Sequence, residues 1–121
     1  MPQELEQLVS VDSILDFLED AVSHKMVLDA HQWLTAAQKL NVLLGNEHDE
    51  LFELQQEITR ATVLELESQE KRNVALAKTM VQASDQYREM RSQEAKIKRV
   101  EEFIRIAKLQ ARMKDNEYRN S

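Results

Sequence analysis

The amino-acid sequence predicts an all-α protein in which two short amphipathic helices pack on a long, coiled-coil-like third helix. One Gly and one Pro in 121 residues leave almost no turn-forming residues for a β-sheet protein. Apolar residues recur at spacings of three and four through most of the chain, which is the helical period. No Gly or Pro interrupts residues 46–113, so this stretch can form one continuous helix.

The first helix is predicted within residues 2–26. Ser10, Asp12 and Ser13 interrupt its pattern and are residue types that cap helices. One helix of about 20 residues and a short turn followed by a helix both fit this pattern. The apolar positions that define the helical face are Leu5, Leu8, Val9, Val11, Ile14, Leu15, Leu18 and Val22.

The second helix is predicted over residues 27–44, where Trp33, Leu40 and their apolar neighbours share one face. Gly45 follows in the position where a left-handed residue commonly ends a helix. Asn46 is then suited to cap the third helix. The pattern therefore predicts a tight link that makes the second and third helices antiparallel neighbours.

The third helix has one ambiguous segment, residues 65–73 (ELESQEKRN), which offers only Leu66 to a core. Its helix-forming composition favours a continuous helix. In that case the apolar stripe beyond it needs a second copy of the chain or another partner. If the segment is a turn, the part that follows folds back on the amino-terminal part as a bundle. The predicted organisation is an acidic helical bundle (1–66), an extended basic helix (67–113) and a flexible tail (114–121).

The distal part of the third helix carries a heptad-type stripe, in which Glu94 is the one polar position, with a shift of phase near Ile97. Such a stripe predicts association between copies of the chain. The residues expected to form this association seam are Leu76, Met80, Ala83, Tyr87, Met90, Ile97, Val100, Phe103 and Ile104.

Charge is distributed unevenly along the sequence. Residues 1–70 contain 15 acidic and 3 basic residues, whereas residues 71–121 contain 7 acidic and 13 basic ones. The favoured interpretation is that the acidic and basic parts pair with each other. Alternatively, the basic part can bind an acidic partner such as single-stranded nucleic acid. Tyr87, Phe103 and Tyr118 could then stack on bases. The basic strip for this alternative consists of Arg88, Arg91, Lys98, Arg99, Arg105, Lys108 and Arg112.

Several classes of site have no pattern in this sequence. Cysteine is absent, and the single Gly rules out glycine-rich phosphate loops and the GxSxG motif. His24, His31 and His48 form neither an HExxH nor a Glu-x-x-His arrangement. We therefore expect no catalytic residues, no metal and no cofactor. No apolar run reaches the roughly 20 residues of a membrane span, so we expect a cytoplasmic protein without a membrane segment.

These observations predict a non-enzymatic structural or interaction protein that self-associates through a long amphipathic helix. Two alternatives use the same helices. One is a nucleic-acid-binding accessory factor acting through the basic strip. The other is an adaptor or inhibitor whose acidic face, which consists of Asp12, Asp16, Glu19 and Asp20, binds a basic site on another protein.

Overall fold

The computed structural model describes residues 5–24 and 26–119, which are almost entirely helical. A short 3-10 helix (Leu5–Gln7) precedes the helices α1 (Val11–Ser23), α2 (Ala30–Glu67), α3 (Val74–Gln82) and α4 (Asp85–Arg119). The residues that the structure describes include no strand, which confirms the all-α prediction.

The first two helices begin at side-chain caps. Ser10 precedes α1, and its Oγ accepts a hydrogen bond from the Ser13 N–H at 3.2 Å. At the start of α2, Asp29 Oδ1 accepts from the Gln32 N–H at 2.8 Å, while Gln32 Oε1 accepts from the Asp29 N–H at 3.0 Å. This reciprocal pair is a capping box, which fixes the start of α2 later than the residue 27 that the apolar pattern predicted.

The prediction that Gly45 ends a helix is wrong. Gly45 and Asn46 both lie inside the 38-residue helix α2, so the predicted second helix and the first part of the predicted third helix are one element. The backbone at Gly45 is not left-handed, and, apart from its chain neighbours and the surrounding helix backbone, no described atom lies within 4 Å of the position that a Cβ would take. The helix therefore bears the entropic cost of a glycine without using its conformational freedom.

The prediction of one continuous helix over residues 46–113 is also wrong. Residues 68–73 form an irregular connection, in which the Asn73 N–H donates to Gln69 Oε1 at 2.9 Å. Asn73 then caps α3, because its Oδ1 accepts from the Leu76 N–H at 3.1 Å. A second short break lies between α3 and α4, where Ser84 Oγ accepts from the Tyr87 N–H at 3.2 Å. The long third helix of the predicted fold is thus replaced by three helical elements.

The carboxyl-terminal part of the chain is more regular than the sequence predicted. Helix α4 continues to Arg119, so residues 114–119 of the predicted flexible tail are helical. Residues 120–121 lie outside the described residues. An i,i+4 ion pair between Arg119 and Asp115, at 3.3 Å, lies in the last turn of this helix.

The chain divides into two compact units, of which unit 1 comprises Met1–Gly45 and Lys98–Ser121. In unit 1, α1 and the first half of α2 bury one face each against the second half of α4. Lys39 Nζ also donates to the carbonyl oxygens of Glu6 and Leu8, both at 2.9 Å, which ties α2 to the amino-terminal segment. The core residues are Leu5, Leu8, Val11, Ile14, Leu15, Leu18, Ala21, Leu28, Trp33, Ala36, Ala37, Leu40, Val100, Ile104 and Ala107.

Unit 2 comprises Asn46–Ile97 and contains the second half of α2, all of α3 and the first half of α4. Its buried apolar residues are few: Leu54, Ala77, Val81, Met90 and Ile97. The sequence-based division at residue 66 groups the chain differently, because it assigns α3 and all of α4 to one segment.

Substitutions at Gly45 and Asn46 distinguish a helix interior from a helix boundary. We expect Gly45→Ala to raise the free energy of unfolding by about 0.5–1 kcal/mol, because alanine loses less backbone entropy in a helix. Asn46→Ala should be neutral or slightly stabilising, whereas loss of an N-cap would cost about 0.5–2 kcal/mol. Urea denaturation of the two variants measures both effects. Destabilisation by both would contradict a continuous α2.

Candidate interaction surfaces

Most of the predicted association seam is covered by the chain itself. Val100 and Ile104 belong to the core of unit 1, and Phe103 packs against that core. Met90 and Ile97 are buried in unit 2. The stripe from Met90 to Ile104 therefore does not need a second copy to cover it, and this removes the reason for which the sequence assigned it to an oligomer.

The amino-terminal residues of the predicted seam have a different environment. Leu76 and Met80, one turn apart on α3, are each 49% exposed, and Ala83 is also exposed. Tyr87 is partly buried and lines a groove in unit 2. The structure thus separates the nine predicted residues into an internal group on α4 and a solvent-accessible group around α3.

Carboxylates neutralise much of the predicted basic strip. Within α4, Arg88 pairs with Asp85 at 2.7 Å, Arg91 pairs with Glu94 at 3.4 Å, and Arg105 pairs with Glu102. In unit 1, Arg99 pairs with Glu19 of α1. No ion pair to Lys98, Lys108 or Arg112 is formed among residues 5–24 and 26–119. The side chain of Tyr118, the third predicted stacking residue, lies outside the described part.

Unit 2 contains one buried polar contact between helices that the sequence did not reveal. The Gln93 side-chain amide donates to the Glu47 carbonyl oxygen at 3.0 Å and to Glu47 Oε2 at 2.7 Å. Lys96 Nζ lies 3.4 Å from the same Oε2. Gln93 is 7% exposed, so the amide takes an inward position between Met90 and Ile97. The heptad pattern placed Glu94 there, since positions 93 and 94 both fit a spacing of three or four.

The second half of α2 contributes to a groove of about 450 Å³ in unit 2. Ile58, Thr59, Thr62 and Val63 form the α2 wall. Lys78, Val81 and Gln82 of α3, with Tyr87 of α4, form the rest of the lining. A second depression, of about 400 Å³, lies along α2 and shares Thr59 with the groove. Both concave surfaces are thus lined in part by the second half of α2.

Exposed apolar side chains follow the same part of the chain. Phe52 is 59% exposed, Val63 is 47% exposed and Leu64 is 66% exposed. Val74, Leu76 and Met80 of α3 are also exposed. Large apolar side chains that collect on a surface, rather than occurring singly, commonly mark sites of protein association.

Other kinds of site find no support in the part of the chain that is described. Residues 5–24 and 26–119 contain no group of three His, Asp or Glu side chains placed to hold a metal ion. No helix among them has both the length and the apolar composition that crossing a membrane requires. Comparison with protein-family models, with curated proteins and with solved structures gave no match.

The Gln93 contact should contribute measurably to the stability of unit 2. Replacing Gln93 by Ala leaves the Glu47 carboxylate, whose side chain is only 12% exposed, without its amide donor. Hydrogen bonds to charged groups contribute about 1.5–3 kcal/mol, so we expect a loss of this order in urea denaturation. Gln86 lies on the exposed surface of the same helix, and Gln86→Ala is the control. Equal effects of the two substitutions would show that the buried contact adds nothing.

The exposed Glu102–Arg105 pair makes a prediction about pH. The hydrogen bond from Arg105, with the charge of its guanidinium, holds the pKa of Glu102 below its ordinary value. Because the folded-state pKa is the lower one, the pair stabilises the fold above the unfolded-state pKa. This contribution is lost as the pH falls through the folded-state value. NMR titration should show the Glu102 midpoint rising in Arg105→Gln and unchanged in Arg112→Gln. An unchanged midpoint in Arg105→Gln would contradict the pairing.

Proposed function

We propose that this chain is a non-enzymatic helical protein that self-associates through the exposed apolar surface of unit 2. One observation carries the proposal. Among the described residues of unit 2, six large apolar side chains are exposed while five apolar residues are buried. In unit 1 the corresponding numbers are eight and fifteen. Association would give unit 2 the apolar burial that its own helices supply only in part.

The surface differs from the one predicted from the sequence. Four residues of the predicted seam are already buried within the chain: Met90, Ile97, Val100 and Ile104. Dimerisation through them would require each unit to give up part of its own core. Leu76 and Met80 remain available, and the exposed side of α2 joins them. The proposal therefore keeps self-association and moves it from α4 to α2 and α3.

The two alternative functions have less support. A nucleic-acid interface gains affinity from each phosphate that a cation neutralises, and four of the seven predicted cations already pair with carboxylates. In the acidic face predicted for an adaptor, Glu19 forms an ion pair with Arg99 of the same chain, although Asp16 and Asp20 remain exposed. We do not propose either as the main function.

Light scattering after size exclusion, from micromolar to near-millimolar protein, tests the proposal. We expect the mass to rise from one chain to two or more and to persist at high salt, because apolar burial is not screened. The double variant Val63→Asp/Met80→Asp should remain monomeric over the same range.

The matched control is Val9→Asp/Val42→Asp, which places two charges at exposed valines of unit 1. It should associate as the unmodified chain does. Loss of association in this control alone would move the interface to unit 1. A single-chain mass for the unmodified protein at every concentration would overturn the proposal.

A further inference from the structure

The outward side of α2 in unit 2 carries its own heptad-type stripe. Its members follow one another at spacings of four, three and four, and we call them the outer stripe: Phe52, Gln56, Thr59 and Val63. The inward side of the same helix carries Leu51, Leu54 and Ile58, which are buried or partly buried. A helix with apolar residues on two sides has a second surface to cover.

We propose that two copies of the chain associate through the outer stripe, with their α2 helices antiparallel. The inference rests on the proposed self-association and specifies its surface, its partner and its geometry. The partner is a second copy because α2 is complementary to itself in this orientation and not in the parallel one.

The apolar residues match when the two-fold axis passes midway between Gln56 and Thr59. Phe52 of each copy then lies opposite Val63 of the other, so a large side chain meets a smaller one in both outer layers. In a parallel pair, Phe52 would meet Phe52 and Val63 would meet Val63, which gives one crowded layer and one loose layer. The antiparallel arrangement has two equivalent layers of intermediate volume.

The central layer supplies polar contacts that define the register. Gln56 of one copy lies opposite Thr59 of the other. Thr59 Oγ1 donates to the Gln55 carbonyl oxygen of its own helix at 3.1 Å, so the hydroxyl oxygen can still accept. The Gln56 amide is the matching donor. A polar layer of this kind penalises any register that leaves the amide against an apolar side chain.

Charge complementarity gives the strongest argument for a second copy. Arg60 is the single basic residue between positions 46 and 70, a stretch with eight acidic residues. Glu53 lies seven residues before it, on the same flank of the outer stripe. Neither side chain has a hydrogen bond or ion pair with any described residue.

The antiparallel two-fold places equal flanks of the two helices together. Glu53 of each copy therefore faces Arg60 of the other, and the ion pair occurs twice. In a parallel pair, the flank that carries Glu53 and Arg60 would instead face the other flank of the partner's stripe. The neutral Gln55 and Thr62 lie on that other flank. The two depressions along α2, lined in part by Phe52, Gln56 and Val63, provide space for the incoming side chains.

A charge exchange tests both the surface and the orientation. In Glu53→Arg, the introduced guanidinium would oppose Arg60 twice, and in Arg60→Glu two pairs of carboxylates would oppose each other. Each variant removes two attractive charge pairs and introduces two repulsive ones, so it should weaken dimerisation roughly tenfold or more at low salt. Analytical ultracentrifugation measures the dissociation constant, and circular dichroism verifies that the helices are intact.

The antiparallel geometry predicts that combining the changes restores association. Glu53→Arg/Arg60→Glu rebuilds both ion pairs with reversed polarity. An equimolar mixture of the two single variants also forms two ion pairs, in a heterodimer that contains one copy of each variant. Recovery of the dimer in both experiments is the expected result, with a smaller difference between variants at high salt.

The remaining outcomes overturn the inference in distinguishable ways. Weakening without recovery would exclude the antiparallel register. Unchanged association in Glu53→Arg, in Arg60→Glu and in Phe52→Asp, together with dispersal by Met80→Asp, would reject the outer stripe and leave the proposed self-association intact. A monomeric unmodified chain would reject both proposals.

Discussion

Burial of the inward face of α4 is the constraint on which unit 1 depends. Val100, Ile104 and Ala107 fill the space between α1 and the first half of α2, and these elements come from opposite ends of the sequence. None of the three helical segments can bury its apolar face alone, because a single amphipathic helix is marginal in water. The connection at residues 68–73 is therefore a requirement of the core, since it lets α4 return to the amino-terminal helices.

The packing of α4 against the amino-terminal helices also explains how acidic and basic residues are distributed in the fold. The acidic first part and the basic last part of the sequence are mixed within each unit: unit 1 has 11 acidic and 9 basic residues, and unit 2 has 11 and 7. Arg99 meets Glu19 in unit 1, and Lys96 meets Glu47 in unit 2. An exposed ion pair such as Arg99–Glu19 contributes only about 0–1 kcal/mol, so apolar burial is the main stabilising interaction in unit 1, and the charges favour one pairing of helices over others.

The sequence was sufficient to predict the helical class, most of the first helix's apolar face and most of the residues that α4 buries, whereas Val9 and Val22 of that predicted face are exposed. It failed at Gly45 because the apolar pattern has a gap there: Glu47 occupies an inward position between Leu44 and Leu51. Its partner, Gln93, is 46 positions away, and no local rule detects such a pair. It failed at residues 68–73 because Glu, Gln, Lys and Arg favour helices, and here tertiary burial outweighs that preference. The candidate surface was only partly predictable. The heptad pattern included Leu76 and Met80, but the outer stripe was missed because the inward side of the same helix has the stronger apolar pattern.

The relative size of the available interactions favours protein association over nucleic-acid binding. Lys98 and Arg112 lie 14 positions apart in α4, or about 21 Å at ~1.5 Å per residue, and together with Lys108 they provide few phosphate contacts. Each would contribute a salt-dependent amount to binding. Full burial of a Phe or Val side chain contributes about 1.5–3 kcal/mol, and Phe52 and Val63 still expose 59% and 47% of their surface to such a gain. A two-fold interface would bury each of them twice, and this apolar contribution would persist at physiological salt, where the contribution of the cations is screened.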